Sequence, residues 1–125
     1  MTTSSCKAKG RRLQQVVAKA LLESAKDLDP NLIEEDVQSR SMGAPGTDII
    51  LSGRARAILG NLAIECKNVE ALNVAGVFLP HYDKYEKTGA TPILVHKRNH
   101  TRPLVTLTLE DFLRLNKGAF YVDSQ

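Results

Sequence analysis

The first regular pattern in the chain is helical. Apolar residues recur at the i, i+3, i+4, i+7 spacing of an amphipathic helix at Leu13, Val16, Val17, Ala20 and Leu21. The pattern predicts a helix from about Arg11 to Lys26. The residues before it are small and polar with two lysines, so we expect residues 1–9 to form a mobile basic tail.

Short apolar segments bounded by Gly, Pro, Ser or Asn predict β-strands. They are a short edge strand starting at Val37 and the segments 49–51, 62–67, 92–96 and 103–107. We expect segments 49–51 and 62–67 to pair as an antiparallel hairpin, with one helical turn inserted between Gly53 and Gly60. The last two segments flank the basic loop 97–102 and predict a second hairpin.

Two further helices are predicted in the second half of the chain. Residues 69–88 have a helical apolar face, but Gly76 and Pro80 predict an irregular or broken helix. Thr108 is followed by acidic residues, which is typical of a helix N-cap, and this last helix is expected to end near Lys117. Residues 119–125 are predicted to form a loose tail.

Composition indicates one globular domain, which we place at residues 10–118. The 125 residues are 42% apolar and 25% charged, and no apolar run approaches the length of a membrane span. With no secretory signal at the N-terminus, we expect a cytoplasmic protein without a membrane partner. The net charge of +3 permits a polyanionic partner. The two cysteines, Cys6 and Cys66, indicate neither a disulfide framework nor a zinc site.

The candidate chemistry lies on the segments 49–51 and 62–67. Because side chains alternate along a strand, Glu65 and Lys67 face one way and Cys66 faces the core. In the predicted hairpin, Asp48 would lie near Glu65. Two carboxylates suit Mg²⁺, which leaves coordination positions for water and phosphate, and a neighbouring lysine can orient the attacking water. This set predicts phosphodiester hydrolysis.

Basic and hydroxyl residues surround this set in the sequence. Arg11 and Arg12 are predicted at a helix N-terminus, where they bind phosphate or are simply solvated. The loop 39–46 carries Arg40 and Ser41 and is either a phosphate contact or an ordinary connector. Three histidines, His81, His96 and His100, lack the spacing of metal ligands, so we expect solvated or phosphate-adjacent positions for them.

Asp48 followed by Glu65-Cys66-Lys67 resembles the PD-(D/E)XK signature of restriction-endonuclease-like nucleases. Within that superfamily, residues 9–116 are similar to archaeal-type Holliday junction resolvases and small phage-encoded nucleases. Those proteins begin with a Lys-Gly-Arg-Arg-like segment, which is residues 9–12 in this chain. The chain departs from them at Gln14, where the resolvases have an acid, and at Thr47, where the motif has proline.

The resemblance implies an α/β (α+β) fold with a central mixed sheet of four to five strands flanked by helices. It implies an endonuclease that uses Mg²⁺, or Mn²⁺ in its place, and cuts branched or junction DNA as a homodimer, in a prokaryotic cell or a phage-infected host. No organic cofactor is implied. We expect residues 69–88 to form part of the dimer interface.

The resemblance also assigns residue roles. Asp48, Glu65 and the main-chain carbonyl of Cys66 would bind the metal, and Lys67 would be the catalytic lysine. Ser41 would lie near the scissile phosphate and Gln14 would hydrogen-bond a metal-bound water. The residues expected to bind DNA are Lys9, Arg11, Arg12, Arg40, Arg98 and Arg102. Open alternatives are a restriction, homing or general phage nuclease of the same fold, and a non-catalytic DNA-binding module.

Overall fold

The chain begins with a helix that is longer than its apolar pattern indicates. The computed structural model describes the backbone of residues 3–41 and 43–123, with side chains for 5–41 and 43–117. Helix α1 spans Thr3–Lys26, rather than starting at Arg11, so Thr3 to Lys9 are helical where a mobile tail was expected. Met1 and Thr2 lie outside the described residues.

The predicted helix N-terminus at Arg11 and Arg12 is therefore wrong. Both residues are exposed in the middle of α1, where backbone N–H groups already bond to carbonyls four residues earlier. No free N–H groups remain there for an anion. The buried face of α1 consists of Leu13, Val17, Ala18, Leu22 and Ala25.

Two short strands form the first sheet. A 3₁₀ turn at Glu34–Asp36 leads into β1 (Val37–Ser39), which pairs antiparallel with β2 (Ile49–Leu51). Helix α2 (Gly53–Leu59) follows β2 directly and confirms the helical segment predicted there.

The second sheet has three strands in the order β3-β4-β5. Strand β3 (Leu62–Asn68) is parallel to β4 (Thr91–Lys97), and β4 is antiparallel to β5 (Leu104–Thr106). The hairpin predicted between β4 and β5 is confirmed. The crossover from β3 to β4 contains helix α3 (Val74–Glu86).

The antiparallel hairpin predicted between segments 49–51 and 62–67 is wrong. Strand β2 pairs with β1, and β3 pairs with β4. Helix α2 fills the connection that a hairpin would need to keep short. The described strands form sheets of two and three strands instead of one sheet of four to five, and the backbone bond from Asp48 N to Ile64 O, 2.9 Å long, links the two sheets.

Two helix predictions also need correction. Helix α3 is continuous through Pro80, and the carbonyl that loses its hydrogen-bond partner belongs to Gly76, an exposed residue. Helix α4 spans Leu109–Asp123, so it passes the predicted end at Lys117 and includes most of the predicted loose tail. Ser124 and Gln125 lie outside the described residues.

Helices cover both faces of the three-stranded sheet at β3 and β4. On one face, Ile64, Cys66, Ile93 and Val95 pack with the apolar face of α1. The other face carries Ala63 and Leu94 and is covered by Phe78 and His81 of α3. The architecture is mixed α/β, with four α-helices and two small sheets in the described part of the chain. Within the same ranges, no helix has the length and apolar character to cross a membrane.

Candidate functional site

The Asp48 carboxylate is fixed at the edge of β3. Its Oδ2 accepts a 2.7 Å hydrogen bond from the Cys66 backbone N–H. The Asp48 backbone N donates to Ile64 O at 2.9 Å, and its carbonyl accepts from Arg40 N at 2.7 Å. These bonds bring Asp48 beside β3 although β2 and β3 do not form a ladder.

Cys66 contributes its backbone to the site and its side chain to the core. The thiol is 6% exposed, and burial raises its pKa to about 12, so it stays neutral near neutral pH. The N–H and C=O of one strand residue point to the same side of the strand. The Cys66 carbonyl therefore points to the side of β3 on which Asp48 lies.

Glu65 and Lys67 lie on the face of β3 opposite the Cys66 thiol. Lys67 Nζ is 3.7 Å from Glu65 Oε1, and their side chains are 43% and 25% exposed, respectively. Burial is the main cause that raises the pKa of Glu65 above its ordinary value, and the negative charge of Asp48 adds to it. Lys67 and His81 partly offset these effects. The two carboxylates, Asp48 and Glu65, therefore favour binding of an added cation.

His81 is a residue of this region that sequence reasoning placed wrongly. It is 7% exposed, not solvated, and its Nε2 donates a 2.8 Å hydrogen bond to the Ala63 carbonyl. Its ring centroid lies 5.0 Å from that of Tyr85. The signal for burial was its spacing of three residues from Phe78, which puts both on one helical face. His81 holds α3 against β3 near Glu65.

Arg40 supports the loop that leads to Asp48. Its Nε donates to the Thr47 carbonyl at 2.6 Å. Gly46 has φ +110°, and a Cβ there would lie 2.8 Å from Arg40 Cζ, so the guanidinium packs directly on this glycine. Arg40 therefore fixes the conformation of the loop that leads to Asp48.

Ser41 and Gln14 are not placed like the central residues. Ser41 is exposed, and among the described residues no hydrogen bond joins its side chain to Asp48, Glu65 or Lys67. It lines a cavity of about 1200 Å³ between α1 and β1, which does not include these three residues. Gln14 is 5% exposed and lies on the buried side of α1, a helix that packs against β1 and β3.

The predicted DNA-binding residues fall in separate places. Lys9 is partly exposed on α1, and Arg11 and Arg12 are exposed. Arg98 and Arg102 are exposed in the loop between β4 and β5, and they line a groove of about 480 Å³. This second group lies on the sheet that carries Glu65 and Lys67.

The donors available to a metal are oxygen atoms. In the ranges that the structure describes, no three His, Cys, Asp or Glu side chains converge on one point. Asp48, Glu65 and the Cys66 carbonyl instead provide two carboxylates and one carbonyl. This set fits Mg²⁺, which commonly takes one or two carboxylates together with water and phosphate oxygens, and it does not fit a structural zinc ion.

Comparison with known proteins gives no match to a family model, to a curated protein or to a solved structure.

Proposed function

We propose that this protein is a Mg²⁺-dependent endonuclease that hydrolyses DNA phosphodiester bonds. The observation that carries the proposal is the fixed carboxylate of Asp48, held by the Cys66 N–H beside Glu65 and Lys67. Two carboxylates with an ammonium group on a partly exposed strand can bind a cation and a phosphate together.

Each residue has a distinct part in this reaction. Asp48, Glu65 and the Cys66 carbonyl would hold the ion, and Lys67 would position the attacking water or the phosphate. A bound Mg²⁺ would supply positive charge that stabilises the transition-state phosphate and lowers the pKa of water. The Cys66 N–H keeps Asp48 in place, and His81 holds α3 against β3 through the Ala63 carbonyl, without either group touching the substrate.

The order of elements supports the assignment of a restriction-endonuclease-like fold. A helix, a Gly- and Ser-containing loop, strands with the acidic residues, a helix and two further strands occur in the order that the resemblance to restriction-endonuclease-like nucleases implies. We therefore propose that fold. Selectivity for branched or junction DNA and a homodimeric state are proposed on the likeness to resolvases.

A cleavage assay with matched variants tests the activity. The wild-type protein is incubated with duplex, flapped and four-way-junction DNA in Mg²⁺, Mn²⁺ or EDTA. We expect cleavage only with metal, and a loss of at least about 100-fold in Asp48→Asn. Asp83→Asn changes an exposed carboxylate on α3 and serves as the control.

Cleavage at the same rate in Asp48→Asn and the wild type would overturn the proposal. DNA binding without any cleavage would instead support the non-catalytic binding module.

A further inference from the structure

A groove opens at the carboxyl ends of the parallel strands β3 and β4. We call it the β4–β5 groove, and its main lining residues are Leu72, Val74, His96, Arg98, Arg102 and Leu104. Its volume is about 480 Å³. The segment that follows Lys67 and Asn68 along the chain supplies one wall.

Strand register connects this groove to the candidate site. Lys67 pairs with His96, and His96 pairs with Leu104, so these three side chains form a row on one face of the sheet. With neighbouring strands about 5 Å apart, the row from Lys67 to Leu104 is about 10 Å long. A DNA strand bound at Lys67 can therefore continue into the groove.

The groove is apolar at its floor and cationic at its rim. Leu104 is 59% exposed, and Leu72 and Val74 are half-buried beside it. The His96 ring is held by a 2.9 Å hydrogen bond between Nε2 and Thr106 Oγ1. Lys97, Arg98 and Arg102 add positive charge.

The nearby acidic side chain does not cancel this rim. Glu70 Oε1 accepts a 2.9 Å hydrogen bond from the Asn99 backbone N–H, which fixes the loop. Lys97, Arg98 and Arg102 outnumber this one carboxylate, so the rim around the apolar floor stays positively charged.

This combination distinguishes between forms of DNA. A continuous duplex presents phosphates to a protein surface and keeps its base faces stacked, so it gains nothing from exposed leucine and valine. An unpaired nucleotide offers a flat base to an apolar or aromatic surface and a phosphate to the cations. The groove therefore suits an unpaired nucleotide better than a continuous duplex.

We propose that the β4–β5 groove binds an unpaired nucleobase of the DNA strand whose phosphate lies at Asp48 and Glu65. This inference rests on the proposed function and narrows its substrate class. The substrate is branched DNA with unpaired nucleotides next to the cleaved bond, as in a flap, and the base packs on Leu104 and the His96 ring.

Binding measurements with matched variants test the groove. Fluorescence anisotropy of the full chain gives the affinities for a labelled single-stranded oligonucleotide and for its duplex, with Ca²⁺ in place of Mg²⁺ so that a cation offsets the repulsion between the carboxylates and the phosphate. Leu104→Ser should weaken binding of the single strand about tenfold more than binding of the duplex, which is the scale of one lost base contact. Leu104→Phe should strengthen binding of the single strand relative to binding of the duplex.

Val105→Ser is the control. Val105 is 58% exposed on the same strand, but its side chain is on the opposite face of the sheet. This variant should keep the wild-type ratio of affinities. Circular dichroism of each variant checks that the fold is retained.

The result that overturns the groove proposal is an equal ratio in Leu104→Ser, Val105→Ser and the wild type. Cleavage with Mg²⁺ is measured on the same preparations. An unchanged ratio with normal cleavage rejects the groove and leaves the nuclease proposal standing. A changed ratio without any cleavage supports the groove and rejects the nuclease proposal.

Discussion

Two hydrogen bonds of Asp48, rather than the expected strand ladder, position the candidate site. The bond from Cys66 N–H to the Asp48 carboxylate, 2.7 Å long, has an ionisable acceptor and is of the stronger, charge-assisted kind when Asp48 is ionised. Together with the bond from Asp48 N to Ile64 O, it fixes both the backbone and the side chain of Asp48. The distance between the carboxylates therefore depends on these two bonds.

At the scale of one residue, Lys67→Met separates catalysis from stability. The Lys67–Glu65 contact is 3.7 Å long and Lys67 is 43% exposed, so the pair contributes only about 0–1 kcal/mol to the free energy of unfolding. If Lys67 positions the water, we expect cleavage to fall about 100-fold or more while Tm stays nearly constant.

Initial rates on junction DNA and thermal unfolding measure the two quantities. Lys87→Met, which changes an exposed lysine after α3, should affect neither. Full cleavage by Lys67→Met would contradict the assigned role.

The sequence identified some of these residues but not how they are held. Glu65 and Lys67 share a strand face because alternation follows from spacing alone, and the structure agrees. The bond between Asp48 and Cys66 depends on how two sheets meet, which local patterns do not encode. The burial of His81 likewise depends on the face of α3 that packs on β3.

At the scale of elements, Asp36 joins the 3₁₀ turn to α2. Its Oδ2 accepts from Ile33 N at 2.9 Å, and its Oδ1 accepts from the Ser52 hydroxyl at 2.8 Å. Ser52 is the N-cap of α2 and accepts from Ala55 N at 3.0 Å. The backbone and hydroxyl hydrogen bonds lower the pKa of Asp36 below its usual value.

This arrangement predicts acid-dependent stability. Since the pKa of Asp36 is lower in the folded state, its stabilising contribution is complete above the ordinary carboxyl pKa of about 4 and is lost as the pH falls through the lowered value. Asp36→Asn should therefore have a lower Tm than the wild type at pH 7. The difference between the two Tm values should become smaller below about pH 4.

Thermal unfolding from pH 7 to pH 2.5 measures the effect, with Glu34→Gln at an exposed neighbour as the control. A constant difference in Tm between Asp36→Asn and the wild type over this range would count against the linkage.

The sequence located the five strands of the described residues but not all their pairings. Short apolar segments with breaking residues at their ends are local signals, whereas pairing depends on the elements between the strands. One usable signal was present: Thr91 to Val95 are all buried, and a continuous apolar run is typical of a parallel strand covered on both faces. The predicted break at Pro80 and the predicted helix end before Gly118 were wrong, because breaking residues lower helix stability without ending every helix.

At the scale of the whole molecule, helix α4 exposes three large apolar side chains of its first two turns to solvent. Leu109, Phe112 and Leu113 are 72%, 52% and 46% exposed and follow the i, i+3, i+4 spacing. The opposite side carries the half-buried Asp111 and Leu115 towards the rest of the protein. A second copy packed on the exposed face would bury it.

The charges on α4 suit an antiparallel pair of identical helices. Glu110 and Lys117 are seven residues apart and lie on the same flank of the apolar face. In a two-fold symmetric pair, Glu110 of each copy would lie near Lys117 of the other, and both contacts are attractive. This makes α4 a better candidate for the proposed dimer interface than residues 69–88.

Oligomeric state distinguishes the two surfaces. We expect a dimer by light scattering at micromolar concentration, and a monomer in Phe112→Ser, because the exposed apolar face loses its central aromatic residue. Leu79→Ser changes a residue of α3 that is 55% exposed and should leave the dimer intact. Lys117→Glu should weaken the dimer, and adding Glu110→Lys should restore it, since the charge pairs are then exchanged. A wild-type monomer contradicts the dimer itself, and a monomer only in Leu79→Ser moves the interface to α3.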